Sequence, residues 1–189
     1  MSHGKFQASR PVAQDRRDLI TDARLEVLDD GGDFMSSDTS TSIQSRRLNS
    51  CDRALARHLF TMMAEVFEHA VQPLSDEYLD RLLARDEFWV FAAQAGDKLL
   101  GGLTAHVLPM TYSESLEVFV YDVAVQRAYQ RQGVGRHLIS AVRELAARRD
   151  IPLVFVAADN ADTNALDFYR ALGATDSSMT LFTFERAER

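Results

Sequence analysis

The chain has 189 residues, of which 46% are hydrophobic, so it is long enough to form one globular domain with a full core. Its formal net charge of -7 leaves no basic footprint, which argues against a nucleic-acid-binding protein. An acidic surface is compatible with a cationic substrate, although most acidic proteins carry such a charge for solubility alone.

The patterns of cysteine, histidine and hydropathy argue against several other classes of protein. The single cysteine, Cys51, cannot form a disulfide within the chain, which favours a reducing compartment. The five histidines show no short metal-ligand spacing, and we therefore expect no metal site. No apolar run reaches membrane-spanning length, and the paired arginines of "DRRDLI" lack the apolar segment of an export signal. These features predict a cytoplasmic protein that does not bind a membrane.

The N-terminal part of the chain differs in composition from the rest. The stretch "DDGGDFMSSDTSTS" is polar and turn-prone, and the residues before it have little apolar surface to bury. We expect residues 1–40 to be a flexible extension and residues 41–189 to be the functional domain.

From residue 41 the chain shows regular strand and helix signals. "TSIQSRRL" predicts an edge strand, Ser50 is expected to cap a helix that runs to about Ala70, and Ser75 to cap a second helix. The strands "FWVFAAQA" and "KLLGGLTAHVL" are expected to form a hairpin at Gly96 and Asp97.

The second half continues with alternating elements. After the polar loop "PMTYSES" we expect a strand from Leu116 to Val125, a helix to about Arg149, the strand "PLVFVAA" and the helix "DTNALDFYRALG". The stretch "ATDSSMTLFTFE" is expected to form a last strand pair. This order predicts a single α/β (α+β) domain with helices on both faces of a sheet.

The segment "YQRQGVGR" joins the apolar strand "EVFVYDVAV" to the amphipathic helix pattern "HLISAVRELAARR". It lacks the third glycine of a dinucleotide fingerprint and the Lys-Ser/Thr pair of a nucleotide-triphosphate loop, but it fits Q/R-x-x-G-x-G/A. Its backbone N–H groups coincide with a helix N-terminus, where they lack partners and favour an anion. We expect a pyrophosphate to be held by Arg131, Gln132, Gly133, Val134, Gly135 and Arg136.

At these residues the chain resembles the GCN5-related N-acetyltransferases (GNAT), which bind acetyl-coenzyme A in this way. The resemblance covers roughly residues 41–185 and includes "VYDVAV", "QRQGVG" and "DTNALDFYRALG". It implies an acetyltransferase domain at residues 41–189, with a mixed central sheet flanked by helices and acetyl-coenzyme A as co-substrate.

Further segments resemble the class I (gentamicin-type) aminoglycoside 3-N-acetyltransferases. These are "SDEYLDRLLARDEFWVFAA", "LTAHVLP", "VFVYDVAV" and "AADNADTNALDFYRALG". This resemblance implies acetylation of the 3-amino group of an aminoglycoside, and hence antibiotic resistance. We also expect a homodimer.

Acetyl transfer to an amine needs a neutral amine, a stabilised tetrahedral oxyanion and a proton for the departing thiolate. The resemblance implies that Tyr169 lies near the coenzyme sulfur, where its phenol would supply the proton. Asp122 lies in an otherwise apolar strand, where a carboxylate is costly unless satisfied, so it is a candidate to orient the amine and take its proton. The backbone of Asp122, Val123, Ala124 and Val125 would hold the oxyanion and pair with the pantetheine arm.

Other polar residues are candidate ligands. Asp159 and Asp162 lie at a predicted strand end and helix start, where carboxylates would bind ammonium groups, although Asp162 could equally cap the helix. Glu68 and Glu114 are candidates for substrate contact, and Asn164 for coenzyme contact.

Two other functions fit the same sequence. The enzyme could acetylate a polyamine or a protein amine, because a polyamine also needs acidic residues around it. Alternatively, the domain could bind coenzyme A as a non-catalytic sensor, a hypothesis against which the presence of both Tyr169 and Asp122 argues.

Overall fold

The structure is a computed structural model that describes residues 42–180 and 182–184. The expected N-terminal extension, residues 1–40, lies outside the described residues. Within the described ranges, no helix is long and apolar enough to cross a membrane.

Among residues 42–180 and 182–184, five strands form one sheet in the order in which they occur along the chain. They are β1 (Gln44–Arg47), β2 (Phe88–Ala95), β3 (Lys98–Pro109), β4 (Leu116–Val125) and β5 (Leu153–Val156). Neighbouring strands from β1 to β4 are antiparallel, whereas β5 runs parallel to β4. The predicted mixed sheet and the predicted β2–β3 hairpin are confirmed.

In the part of the chain that the structure describes, four α-helices cover the two faces of this sheet. They are α1 (Arg53–Val66), α2 (Asp76–Leu83), α3 (Val134–Arg148) and α4 (Thr163–Ala171). Alternate strand residues point to opposite faces. Trp89 and Phe91 of β2 pack in the cluster that contains the buried side of α3, whereas Val90 and Ala92 pack against α1. We call these sides of the sheet the α3 face and the α1 face.

The first helical turn on the α1 face is capped one residue earlier than expected. The side chain of Asn49, not Ser50, accepts a 2.8 Å hydrogen bond from the Cys51 N–H, and Asp52 accepts one of 2.9 Å from the Asn49 N–H. This reciprocal capping fixes Asn49 outside the helix and draws Ser50 into a 3₁₀ turn before α1.

The second helix of this face begins as the sequence predicted. Ser75 accepts a 3.2 Å hydrogen bond from the Tyr78 N–H, and Asp76 and Glu77 occupy the first turn of α2, where negative charge suits the helix dipole. The preceding helix, α1, ends at Val66 rather than near Ala70.

The last strand pair expected around "ATDSSMTLFTFE" is not found. Residues 174–180 and 182–184 contain no strand. Met179, Phe182 and Phe184 are 66%, 78% and 96% exposed. Alternating apolar residues favour a strand only where they meet a sheet edge and a core, and these side chains cover neither. Within the described residues, β5 is therefore the last strand of the sheet.

Candidate active site

Strands β4 and β5 pair over only part of their length. The parallel register runs from Glu117 beside Leu153 to Val120 beside Val156, where β5 ends. The second half of β4, residues 121–125, keeps β3 as its neighbour but has no strand on its other side among the described residues. Unpaired backbone N–H and C=O groups can bind an extended ligand as an additional strand. The predicted coenzyme residues Val123, Ala124 and Val125 all belong to this open edge.

A β-bulge lies at the start of the open edge. Thr104 of β3 pairs with Asp122, but the next β3 residue, Ala105, pairs with Val120, so Tyr121 is an extra residue. Bulges redirect side chains and occur next to active sites. Asp122 contacts Thr104 and Tyr121 contacts His106, two β3 residues that share a face because they are two positions apart. The bulge therefore places Tyr121 and Asp122 together on the α1 face.

The carboxylate of Asp122 is held by a buried neighbour. Thr104 Oγ1 donates a 3.1 Å hydrogen bond to Asp122 Oδ2. Thr104 is only 5% exposed, whereas Asp122 is half-buried and remains accessible. This bond orients the carboxylate and engages one oxygen, so the other can accept a hydrogen bond from an amine.

The turn after β4 ends in free helix N–H groups. A 3₁₀ turn at Arg127–Tyr129 follows the strand, and Gly133 precedes α3 with a φ of +83°. No side chain among the described residues caps this helix start, and its first turn contains no acidic residue. The first backbone N–H groups of α3 are therefore available to an anion, and the helix dipole favours one there.

Two glutamine side chains stabilise this turn by hydrogen bonds to backbone carbonyls. Gln130 Nε2 donates to the Val125 carbonyl at 3.2 Å, and Gln132 Nε2 donates to the Ala128 carbonyl at 2.9 Å. The side chain of Gln132, a predicted coenzyme residue, is thus engaged in the fold. Its backbone N–H is the group that could still serve a ligand.

Arg131 has a left-handed backbone, with a φ of +63°. This conformation costs a residue other than glycine on the order of 1 kcal/mol or more in free energy, and such strain is concentrated at ligand-binding sites. Arg131 is exposed in the turn that precedes α3, and Arg136 is exposed in the first turn of α3 itself. Both predicted arginines are therefore available to a phosphate.

Gly135 has a packing role that the sequence did not reveal. A Cβ atom there would lie 3.0 Å from Cζ and 3.2 Å from Cε2 of Phe168. The absence of a side chain at Gly135 therefore allows α4 to approach α3. This packing role is additional to the space that the glycine would leave for a pyrophosphate. At Gly133, by contrast, a Cβ would meet nothing within 4 Å, and only the left-handed backbone favours glycine.

Tyr169 lies on α4 and packs against the core cluster of the α3 face. Its ring makes an edge contact with Phe168, with centroids 5.0 Å apart. Burial raises the pKa of the Tyr169 phenol, and the negative charge of Asp162 raises this pKa further. The phenol therefore remains protonated at neutral pH, as a proton donor must.

Asp159 and Asp162 both accept hydrogen bonds from backbone N–H groups at the start of α4. Asp162 Oδ1 caps the helix by accepting from the Ala165 N–H at 3.0 Å, and Asp159 Oδ1 accepts from the Ala161 N–H at 2.8 Å. Both side chains are exposed, so their second oxygens can still bind an ammonium group. Asn164 lies exposed in the first turn of the same helix.

The two predicted glutamates lie in different places. Glu68 follows the end of α1 with a φ of +59°, where both the backbone strain and the helix dipole are unfavourable to it. Glu114 lies in the β3–β4 loop, which lines a cavity of about 660 Å³ formed by residues 109–116. From Leu116 to Asp122 the strand advances roughly 20 Å, so Glu114 is remote from the open edge.

Tyr169 and Asp122 belong to opposite faces of the sheet. Tyr169 packs on the α3 face, whereas Asp122 points to the α1 face with its partner Thr104. A ligand bound along residues 121–125 would therefore have the Asp122 carboxylate on its α1 side.

The sequence did not identify two residues of this site, Thr104 and Tyr121. Thr104 carried a signal, because a hydroxyl within the largely apolar "LLGGLTAHVL" needs a partner once it is buried. Tyr121 carried none, since a bulge depends on the register between two strands.

Comparisons with known proteins identify the family of the chain. The profile of the Acetyltransferase (GNAT) family matches residues 53–174. No curated protein shows significant similarity to the chain.

Several solved structures are similar over most of the chain. One is the aminoglycoside acetyltransferase meta-AAC0020 from an uncultured soil metagenomic sample, in complex with trehalose. It is 34% identical with a TM-score of 0.73, and the match covers 77% of this chain and 97% of that chain. A structure of meta-AAC0020 with sisomicin matches at 33% identity, a TM-score of 0.73 and the same coverage. The aminoglycoside acetyltransferase HMB0005, from an uncultured soil metagenomic sample, is 30% identical with a TM-score of 0.70, over 77% of this chain and 99% of that chain. The chain belongs to the GNAT acetyltransferase family.

Proposed function

We propose that the protein transfers an acetyl group from acetyl-coenzyme A to the 3-amino group of an aminoglycoside. The observation that carries this proposal is the Asp122 carboxylate, which Thr104 orients at the open edge of β4. The similarity to two aminoglycoside acetyltransferases supports the class of acceptor, and the resemblance to gentamicin-type enzymes supports the 3-amino position. Such an activity would confer antibiotic resistance.

The coenzyme residues fit a pyrophosphate followed by an extended arm. The free N–H groups at the start of α3 and the guanidinium groups of Arg131 and Arg136 would hold the pyrophosphate. The backbone of Val123–Val125 would hydrogen-bond to the arm as a sixth strand next to β4. Acetyl-coenzyme A then supplies the thioester whose acetyl group is transferred.

Asp122 would act on the acceptor amine. Held by Thr104, its carboxylate accepts a hydrogen bond from the amine and directs the nitrogen lone pair toward the open edge. Asp122 also takes the amine proton, directly or through water. The backbone N–H groups of the open edge stabilise the oxyanion that forms during attack.

Tyr169 would complete the transfer on the other side. As the carbon–sulfur bond breaks, the phenol donates its proton to the departing thiolate and regains one from solvent. The raised pKa of Tyr169 keeps this proton in place until the thiolate forms.

The test is acetyl transfer by the purified protein to a panel of aminoglycosides, with the product identified by NMR. We expect a single product acetylated at the 3-amino group, and no transfer to analogues that lack this amine. If the protein acetylates only a polyamine or a protein amine, that amine and not an aminoglycoside is the acceptor. Coenzyme binding without any transfer would indicate a sensor.

A further inference from the structure

A row of aromatic rings crosses the sheet beside Asp122. It runs from Phe88 on β2 through His106 on β3 and Tyr121 and Phe119 on β4 to Phe155 on β5. The successive ring centroids are 5.1, 5.6, 5.9 and 5.1 Å apart. We call these five residues the aromatic row.

The aromatic row lies on the α1 face. Val118 and Val120 of β4 belong to the core cluster of the α3 face, so Phe119 between them points to the other side. Tyr121 reaches the same side through the bulge.

Most of the aromatic row is not used by the hydrophobic core. Phe88 packs against the cluster of α1, but the rings of Tyr121, Phe119 and Phe155 belong to neither core cluster. Tyr121 is 62% exposed, and the other two rings are half-buried. Stacked aromatic rings on an uncovered sheet face are typical of a binding surface rather than of folding alone.

Carboxylates stand at both ends of the β4 part of the row. Asp122 directly follows Tyr121, and Glu117 lies two positions before Phe119, so its side chain points to the same face. The surface therefore presents, in order along β4, a carboxylate, two aromatic rings and a second carboxylate.

We infer that the Tyr121–Phe119–Phe155 part of the aromatic row binds the sugar rings of an aminoglycoside acceptor. This inference rests on the proposed function and assigns the residues that select a ring-shaped amine. The C–H faces of an amino sugar stack on aromatic rings, and its ammonium groups are attracted both to ring faces and to carboxylates. The alternation of Asp122, the rings and Glu117 matches a polycation that also has apolar faces.

The position of the row also suits the reaction. Tyr121 begins the open edge, so a sugar ring stacked on it carries its amine next to the carboxylate of Asp122. The remaining rings of the acceptor extend over Phe119 and Phe155, where β4 and β5 are still paired.

A second copy of the chain fits this surface less well than an amino sugar does. The chain has a formal net charge of -7, and two copies meeting at the aromatic row would bring Glu117 and Asp122 close to carboxylates of the same sign. Like charges in an interface oppose association, whereas a cationic acceptor is attracted.

The test removes the rings while keeping the strand. Tyr121→Thr and Phe119→Thr each remove a ring and introduce threonine, which forms strands well. Two variants serve as controls. Tyr121→Phe keeps the ring, and Tyr78→Thr removes an exposed ring on α2 that lies outside the aromatic row. For each variant we would measure kcat and KM for an aminoglycoside, its dissociation constant by calorimetry without coenzyme, and the affinity for acetyl-coenzyme A.

We expect Tyr121→Thr and Phe119→Thr to raise the aminoglycoside KM and dissociation constant at least about fivefold, the loss of roughly one ring–cation contact. Tyr121→Phe and Tyr78→Thr should bind the acceptor as the wild type does, and coenzyme affinity should stay constant throughout. Wild-type turnover of aminoglycosides with an unchanged KM in both Thr variants would overturn this inference and leave the proposed function standing. A wild type that neither binds nor acetylates aminoglycosides would overturn both. A change from dimer to monomer in Tyr121→Thr with an unchanged KM would assign the row to a second copy instead.

Discussion

The hydroxyl of Thr104 donates a 3.1 Å hydrogen bond to the carboxylate of Asp122 across β3 and β4. This bond explains how a carboxylate is tolerated within an otherwise apolar strand. It also fixes which oxygen of Asp122 can face an acceptor amine. Thr104 touches Asp122 rather than the reacting atoms, so we regard it as a positioning residue.

Replacing Thr104 by Val should therefore affect the acceptor more than the coenzyme. The change keeps the shape of the side chain but removes the hydrogen bond that orients the accessible carboxylate of Asp122. We expect kcat for an aminoglycoside to fall about tenfold or more, with an unchanged affinity for acetyl-coenzyme A. Thr104→Ser should recover much of the activity. Full activity in Thr104→Val would show that the hydrogen bond has no part in positioning Asp122.

Tyr169→Phe keeps the ring that packs on the α3 face and removes only the hydroxyl. If the phenol protonates the thiolate, kcat should fall by about a hundredfold to ten-thousandfold, while the melting temperature and both substrate affinities change little. A folded variant with near-normal turnover would leave thiolate protonation to water or to the substrate ammonium.

The pH profile gives a second measurement on Tyr169. Its pKa is raised by burial and by Asp162, so the phenol loses its proton only above the ordinary tyrosine value of about 10. We expect no loss of kcat that is due to Tyr169 between pH 7 and 10, and a decline only above that range. A fall in kcat below pH 9 that disappears in Tyr169→Phe would contradict a raised pKa.

Gly135 and Gly133 should differ in how they tolerate a side chain. Gly135→Val would clash with Phe168, which lies 3.0 Å from the position of the new Cβ, so it should lower the melting temperature as well as coenzyme affinity. Gly133→Ala meets no neighbour and should cost about 1 kcal/mol from its left-handed backbone.

The double variant Gly135→Val with Phe168→Leu separates packing from coenzyme binding. The smaller leucine should recover part of the lost melting temperature. If coenzyme affinity then returns to the wild-type value, Gly135 serves only to pack α4 on α3. A persistent loss of affinity would show that the pyrophosphate also needs the glycine.

Arg131→Asn should weaken coenzyme binding without destabilising the fold. Asparagine tolerates the left-handed backbone of this position better than arginine does, and it removes the positive charge. We expect a weaker affinity for acetyl-coenzyme A, a smaller dependence of that affinity on salt, and an equal or higher melting temperature. Arg81→Asn, at an exposed position in the last turn of α2, is the control for loss of charge away from this turn. Equal coenzyme affinities in both variants and the wild type would exclude Arg131 as a phosphate ligand.

Local signals predicted the features that depend on neighbours along the chain. Ser75 caps α2, and a glycine turn separates β4 from α3, because caps and turns are determined by a few adjacent residues. Features that depend on distant residues were missed, such as the bulge at Tyr121 and the contact of Gly135 with Phe168. The prediction of a C-terminal strand pair was wrong, because an alternating pattern of apolar residues does not by itself supply a neighbouring strand to pair with.

The most direct measurement is acetyl transfer to an aminoglycoside by the wild type and by Asp122→Asn, each at saturating acetyl-coenzyme A. The substitution removes the charge of Asp122 but little volume and can keep the hydrogen bond from Thr104. We predict that the wild type yields a 3-N-acetylated product and that Asp122→Asn loses most of its turnover while it binds coenzyme normally and melts at a similar temperature. Equal turnover by the two proteins, or an aminoglycoside that the wild type leaves unmodified, would contradict the assignment of the open edge of β4 as an aminoglycoside acetyltransferase site.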